Sequence, residues 1–220
     1  MENEEIASRF GINLEALKKD QIKLAKSLSL KDSIDFSNIT HFAGFSNIIV
    51  KNKIISTIIL CDKNCEIIDE QYFNDKLNFP YLHGFRSYRE MAAMVEALGK
   101  LSVKPEVIFI PGNGTSHSRL GIASHFSLVT GIPSIGIADS LFEEAKVIKE
   151  DIILEGKKVG RILQTKEGSN PVYVSPGNNI SVATAYNLAK SFIRPPHKLP
   201  EPLAMAHKYA RKVQKELFSS

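Results

Sequence analysis

Apolar positions recur along this chain in two rhythms, one helical and one extended, and the changes between them mark its elements. Leu14, Leu17, Leu24 and Leu28 recur at helical spacing while Lys18, Lys19, Lys23 and Lys26 fall on other faces. This predicts an amphipathic helix with Asn13 as its cap. Three β-branched runs follow, at residues 43–50, 54–61 and 66–73, separated by Lys51-Asn52-Lys53 and Asp62-Lys63-Asn64. Short apolar runs joined by polar turns of this kind predict an antiparallel meander. From Gly84 the period lengthens: Tyr88, Met91, Val95 and Leu98 mark a helix ending near Gly99, and Pro105 opens a strand at 107–110. A helix at 117–129, a buried strand at 132–137, strands at 159–165 and 172–174, and helices at 181–193 and 202–217 complete the prediction. Strands that alternate with helices pair in parallel, so an α/β fold with a mixed sheet is expected.

At 220 residues the chain is long enough for one domain with a sizeable core, and residues 1–12 are read as a flexible N-terminal extension to a single domain spanning 1–220. Lys plus Arg is 28 against 24 for Asp plus Glu, a formal charge of +4, which suits nucleic acid without demanding it. The acidic start Met1-Glu2-Asn3-Glu4-Glu5 is unlike a secretory signal and no run of about 18 apolar residues occurs, so a cytoplasmic protein with no membrane contact is expected. Cys61 and Cys65 can face each other across a hairpin, but a reducing compartment favours free thiols. Two cysteines also fall short of the four ligands of a structural zinc site.

Candidate chemistry collects in a few places. Gly112-Asn113-Gly114-Thr115 lies between a strand and a predicted helix, where backbone amides can approach an anion. It lacks the third glycine and the placed acid of a dinucleotide fingerprint. His117 and His125, eight residues apart, would project about 80° apart on a straight helix and do not form a tight metal pair. His125, beside Phe126 and Leu128, reads as a core histidine bonded to backbone. Arg194, Lys198, Lys208, Arg211, Lys212 and Lys215 can follow a phosphate backbone, although a solvated helix face explains them as well. His207, beside Ala206, Ala210 and Val213, reads equally as a satisfied helix histidine or a pocket residue.

Several stretches, in order, carry a resemblance. They are His41-Phe42-Ala43-Gly44-Phe45-Ser46, Phe79-Pro80-Tyr81-Leu82-His83-Gly84 with Phe85-Arg86-Ser87-Tyr88-Arg89-Glu90, Ile108-Phe109-Ile110-Pro111-Gly112-Asn113-Gly114, Ser116-His117-Ser118-Arg119, Ile132-Pro133-Ser134-Ile135-Gly136 and Leu199-Pro200-Glu201-Pro202. From about Leu14 to about Arg211 the chain resembles the endonuclease V family, whose members cut near deoxyinosine. The resemblance implies a ribonuclease H-like fold, in which acids on the first and fourth strands sit side by side and hold magnesium for phosphodiester hydrolysis. Ser46 and Pro111 stand at those two places, Asp139 stands where the family has a lysine, and Ala183 where it has an aspartate. Glu90 matches the catalytic glutamate and His207 a histidine of the C-terminal helix, both as vestiges of the site. Tyr81, Leu82, His83 and Gly84 match the loop that wedges into a duplex, with His83 in place of a proline. Gly112, Asn113 and Gly114 match the loop that receives the flipped base, followed by His117 and Arg119 in a segment one residue short.

Three readings follow. The first is a catalytically impaired module that binds nucleic acid or a nucleobase, with no cofactor, its partner being DNA or RNA containing a deaminated purine. The second is an active endonuclease with a relocated site, in which Glu90 and Asp139, helped by His207, hold Mg2+ or Mn2+. The third is a non-catalytic scaffold for a protein partner or a homodimer. The resemblance also implies that Ser46 and Pro111 lie near each other on adjacent central strands, with Glu90 facing the same cleft.

Overall fold

The computed structural model describes residues 2–166 and 168–218. Two helices lead the chain, α1 (Glu2–Arg9) and α2 (Leu14–Ala25). Asn13 caps α2, its side-chain oxygen accepting the Ala16 N–H at 3.0 Å. Residues 2–9, expected within a flexible extension, form α1 instead. Acids fill its first turn and Arg9 its last, the order that complements the helix dipole. Ala7 is buried against Leu14, Leu82 and Phe85, and Asn3 exchanges two 3.0 Å hydrogen bonds with the backbone of His83.

The strands β1 (Phe42–Val50), β2 (Lys53–Cys61) and β3 (Ile67–Lys76) form the meander expected from their apolar runs. α3 (Arg86–Gly99) leads to β4 (Val107–Pro111), α4 (Ile122–Thr130) to β5 (Ser134–Ala138). β6 (Lys146–Ile148), β7 (Asp151–Leu154), β8 (Lys157–Leu163) and β9 (Val172–Asn178) precede α5 (Val182–Ser191) and α6 (Glu201–Phe218). All these strands join one mixed sheet in the order β3-β2-β1-β4-β5-β9-β8-β7-β6. β4 is parallel to both β1 and β5, and the other pairs are antiparallel. No helix among the described residues is long and apolar enough to cross a membrane.

Because successive side chains of a strand point to opposite faces, the sheet carries two cores. Ala43, Phe45, Ile108 and Ile110 meet Met94 and Ala97 of α3 and Phe126 of α4. Phe42, Phe109, Ile135 and Ile137 meet Ala185 and Ala189 of α5 and Leu203 of α6. Gly44 is what brings α6 so close: a Cβ there would land on the backbone of Pro202 and Leu203.

Four details depart from the sequence reading. The helix expected from His117 begins only at Ile122, because residues 112–121 fold into a packed corner in which Gly121 lies against the carbonyls of Asn113 and Gly114. In α3 Met94 is buried together with the small and polar residues Ser87, Glu90, Ala93 and Ala97, while Met91, Val95 and Leu98, marked by the apolar period, flank them at the rim of the contact. β9 runs on through Ser175, Pro176 and Gly177, which lack apolar alternation yet pair with or abut β5. β6 and β7, only three and four residues long, are too short for a period to announce them. Cys61 and Cys65 are free thiols.

Candidate functional site

β1 and β4 run in parallel register from Phe42↔Val107 to Gly44↔Phe109, and two residues further along each strand stand Ser46 and Pro111. Ser46 faces α6, its Oγ 3.5 Å from His207 Nδ1. His207 Nε2 accepts from Arg211 Nε at 3.4 Å, which leaves Nδ1 to carry the proton toward Ser46. Thr57 locks α6 to this end of the sheet, its hydroxyl lying 2.9 Å from the Ser46 carbonyl and 3.1 Å from that of Ala206. His207 thus bonds within its own helix through Arg211 and reaches toward Ser46 of β1 with its other nitrogen.

The next residue, Asn47, points to the other face, where it donates to Glu90 Oε2 at 2.7 Å. Glu90 has a side chain only 6% exposed. Arg86, one turn earlier on α3, donates through Nε to Oε1 at 2.7 Å and through Nη2 to Oε2 at 3.0 Å. Its Nη1 donates to the Pro111 carbonyl at 2.7 Å. One guanidinium thus ties the carboxylate on α3 to the end of β4. Gly112 makes this possible, since a Cβ there would lie 2.9 Å from Arg86 Nη1.

Asp139 and Ala183, the two other positions singled out in the sequence, lie elsewhere. Asp139 is on the rim of a neighbouring cavity, with a side chain 79% exposed and accepting from Lys198 Nζ at 3.2 Å. Ala183 is exposed in the first turn of α5. Magnesium needs carboxylate oxygens free to coordinate. Here both oxygens of Glu90 are engaged, the Pro111 carbonyl is taken by Arg86, and Ser46 offers a neutral hydroxyl. No group of three His, Cys, Asp or Glu among the described residues can hold a metal ion. The residues present do not fit a divalent cation.

The cavity has a volume of about 570 Å³, with Tyr81, His83, Arg86, Pro111, Asn113 and Phe142 in its wall. Phe142 lies between two imidazoles: its ring centroid is 3.8 Å from that of His117 and 5.0 Å from that of His83, both nearly parallel to it. His83 also contacts Glu143 at 3.1 Å. Burial, with Arg119 and His83 nearby, pushes His117 down from 6.5 to about 4. Burial lowers His125 as well, whose Nδ1 meets the Ser87 hydroxyl at 2.9 Å, a side chain and not the backbone partner expected.

Of the wedge residues Tyr81 and His83 are presented to solvent, Tyr81 at 60% exposure with Arg89 beneath its ring at 5.8 Å. Leu82 turns inward and is buried with Ala7, Leu14 and Phe85, because the turn at Gly84 (φ +81) folds the loop back onto α2. Gln21 holds that turn, donating to Gly84 O at 2.9 Å and accepting from Arg119 Nε at 2.8 Å. The Arg119 guanidinium also lies over the Phe85 ring at 5.1 Å.

The Gly112 to Thr115 loop is not an open anion cradle. Its amides at Gly112, Gly114 and Thr115 already donate to Ile137 O, Ser175 Oγ and Pro176 O. The helix whose field was expected to assist begins seven residues after Thr115. In the late basic segment Arg194 caps carbonyls of its own turn, Lys198 meets Asp139 and Lys212 lies 4.0 Å from Glu70.

Sequence reasoning missed three residues here. Gln21 continues the Leu14, Leu17, Leu24 phase as a polar residue, which is itself a signal of a buried partner. Arg86 lies four residues before Glu90, the spacing of a helical ion pair. Phe142 gave no signal.

A meander paired in parallel with a following strand and helices on both faces define a ribonuclease H-like domain. The sequence model of the family described as Endonuclease V matches residues 22–208. The chain belongs to the endonuclease V family. It is 34% identical over 201 residues to the endonuclease V of Thermosipho melanesiensis, covering 88% of each chain. Against that of Petrotoga mobilis it is 31% identical, covering 94% of this chain and 96% of the relative. Among solved structures, the Bacillus subtilis endonuclease V superposes with a TM-score of 0.85 at 26% identity, covering 93% of both chains. The Ciona intestinalis endonuclease V, crystallised with a 24mer DNA containing an inosine, has a TM-score of 0.85 at 24% identity and covers 93% of this chain and 98% of its own.

Proposed function

We propose that this chain is a nucleic-acid-binding member of its family that has lost metal-dependent cleavage. The observation that carries this reading is the Arg86–Glu90 pair: the Glu90 carboxylate is bound by the Asn47 amide and by a guanidinium that also takes the Pro111 carbonyl. Phosphate contacts and base stacking use other residues than a metal site does, so binding can outlast the chemistry. Tyr81, Arg89 and the His207–Arg211 pair around the cleft support this, as does the inosine-containing DNA held by the Ciona intestinalis relative. The partner proposed is DNA or RNA containing a deaminated purine.

The test is an incubation of deoxyinosine-containing DNA and inosine-containing RNA with magnesium and with manganese, alongside a binding titration. Retention of both substrates intact, with salt-sensitive binding, is the expected result. Vigorous cleavage abolished by Glu90→Ala and Asp139→Ala would establish a relocated active site instead. Absence of binding to both at low ionic strength would leave the protein scaffold as the reading.

Within the same titration, Tyr81→Ala should weaken binding by about 1–3 kcal/mol, the range for one base stacked on an aromatic ring, with little change in salt slope. Replacing Arg211 and Lys212 together by alanine should lower the slope by about 2, one for each phosphate that is no longer neutralised. Equal slopes for the two variants would show that the tyrosine and the cations do not act separately.

A further inference from the structure

The proposal rests on the nucleic-acid-binding reading and concerns what stands in the cleft where that family chemistry calls for a cation. We propose that Arg86 is a built-in cation which seats a phosphodiester oxygen, so that this chain holds a nucleic-acid backbone with no divalent ion.

Three observations carry it. Arg86 makes a two-pronged bond to Glu90 and a third bond to the Pro111 carbonyl, so its guanidinium is fixed between α3 and the end of β4. A guanidinium has five N–H donors, and these bonds use three, leaving two. The side chain is 39% exposed and forms part of the cavity wall, so the spare donors are accessible from the cleft while the carboxylate partner is buried. Gly112, lacking a Cβ, gives the guanidinium the room it occupies.

The charge arithmetic also differs from that of an ion pair left to itself. Glu90 is neutralised by Arg86, and of the two carboxylates in the cavity wall Asp139 accepts from Lys198 and Glu143 contacts His83, so Arg86 is the cation that faces the cavity itself. A planar fork bound on one edge by a carboxylate still presents hydrogen-bond donors elsewhere for a phosphate oxygen. A divalent ion bridges carboxylates to phosphate; here the guanidinium makes the same bridge through hydrogen bonds, with no activated water and no cleavage.

The test measures binding of a deoxyinosine oligonucleotide at fixed monovalent salt, in EDTA and in magnesium, for the wild type, Arg86→Leu and Arg86→Lys. The wild type should bind in EDTA at least as tightly as in magnesium, which competes only as a counterion. Arg86→Leu should bind about tenfold more weakly with a salt slope lower by about 1, as expected when a single charge-assisted bond to phosphate is removed. Arg86→Lys should keep the slope and lose part of the affinity, since it retains charge without the fork. Should Arg86→Leu fail to fold, Glu90→Gln decides: freed of its carboxylate, Arg86 should bind phosphate several-fold more tightly than in the control Glu96→Gln, an exposed acid on the same helix. Wild-type binding that needs magnesium, or an Arg86→Leu or Glu90→Gln affinity equal to that of its control, overturns the proposal while nucleic-acid binding stands. No binding by the wild type in any buffer overturns both readings together.

Discussion

Gly114→Ala will destabilise this protein by about 3 kcal/mol, combining overpacking against rigid backbone with the disruption of two hydrogen bonds. The position leaves no room for a methyl group, because a Cβ built there falls on the Pro176 carbonyl group, with Ser175 O next to it at 3.0 Å. None of these atoms belongs to a flexible side chain, so the corner and β9 must separate. Separation stretches the bonds from Gly114 N to Ser175 Oγ (2.9 Å) and from Thr115 N to Pro176 O (2.8 Å). In a chain of this size such a loss corresponds to a melting temperature lower by roughly 6–12 °C. Urea denaturation of the wild type and the variant gives the direct comparison. A change in midpoint stability below about 1 kcal/mol would mean that the corner yields easily, as a surface loop does. The same experiment separates the two roles considered for this loop. As an anion cradle its glycines would matter to binding and little to folding; as packing they matter to folding first.

That difference shows where the sequence was informative. The meander, the parallel middle and the capped α2 were legible because each announces itself within a short window, through an apolar period or a capping residue. The neighbouring placement of Ser46 and Pro111 was also legible, since the strand order brings β1 beside β4. What stayed hidden depends on distant partners. Gly112 and Gly114 look alike in sequence to an anion loop, and only the approach of Ser175 and Pro176, some sixty residues later, turns the loop amides inward. Leu82 resembles a wedge beside Tyr81 until α1 and α2 supply the apolar surface that buries it. Arg86 lies within the family-like segment, yet its meaning requires the Pro111 carbonyl, which helical spacing does not reveal. Phe142 sits in an irregular segment, so no period points to its stack between His117 and His83.

The stack has a measurable consequence on acidification: stability will fall as the pH is lowered from about 6.5 to about 4, by about 3 kcal/mol for His117. His117 is held near 4 in the fold, against 6.5 ordinarily, because it is buried against Phe142 with Arg119 and His83 close by. In the unfolded chain it takes up its proton around 6.5, whereas in the folded chain it stays neutral until about 4. Between those values the unfolded state binds more protons, so the contribution of His117 is fully present above 6.5 and lost as the pH falls toward 4. His125, lowered by its own burial, acts in the same direction. Carboxylates such as Asp69 and Glu106, held below their ordinary values of 3.8 and 4.5, withdraw their contributions at more acidic pH, so the upper part of the window belongs to the histidines. Urea denaturation of the wild type and His117→Gln at pH 7, 5.5 and 4 reads this directly. Glutamine does not titrate, so the variant should start less stable at pH 7 through weaker stacking and then lose about 2–3 kcal/mol less than the wild type on acidification. Parallel stability curves for the two proteins across that window would mean that His117 protonates freely in the folded state and that the stack on Phe142 does not exclude the proton.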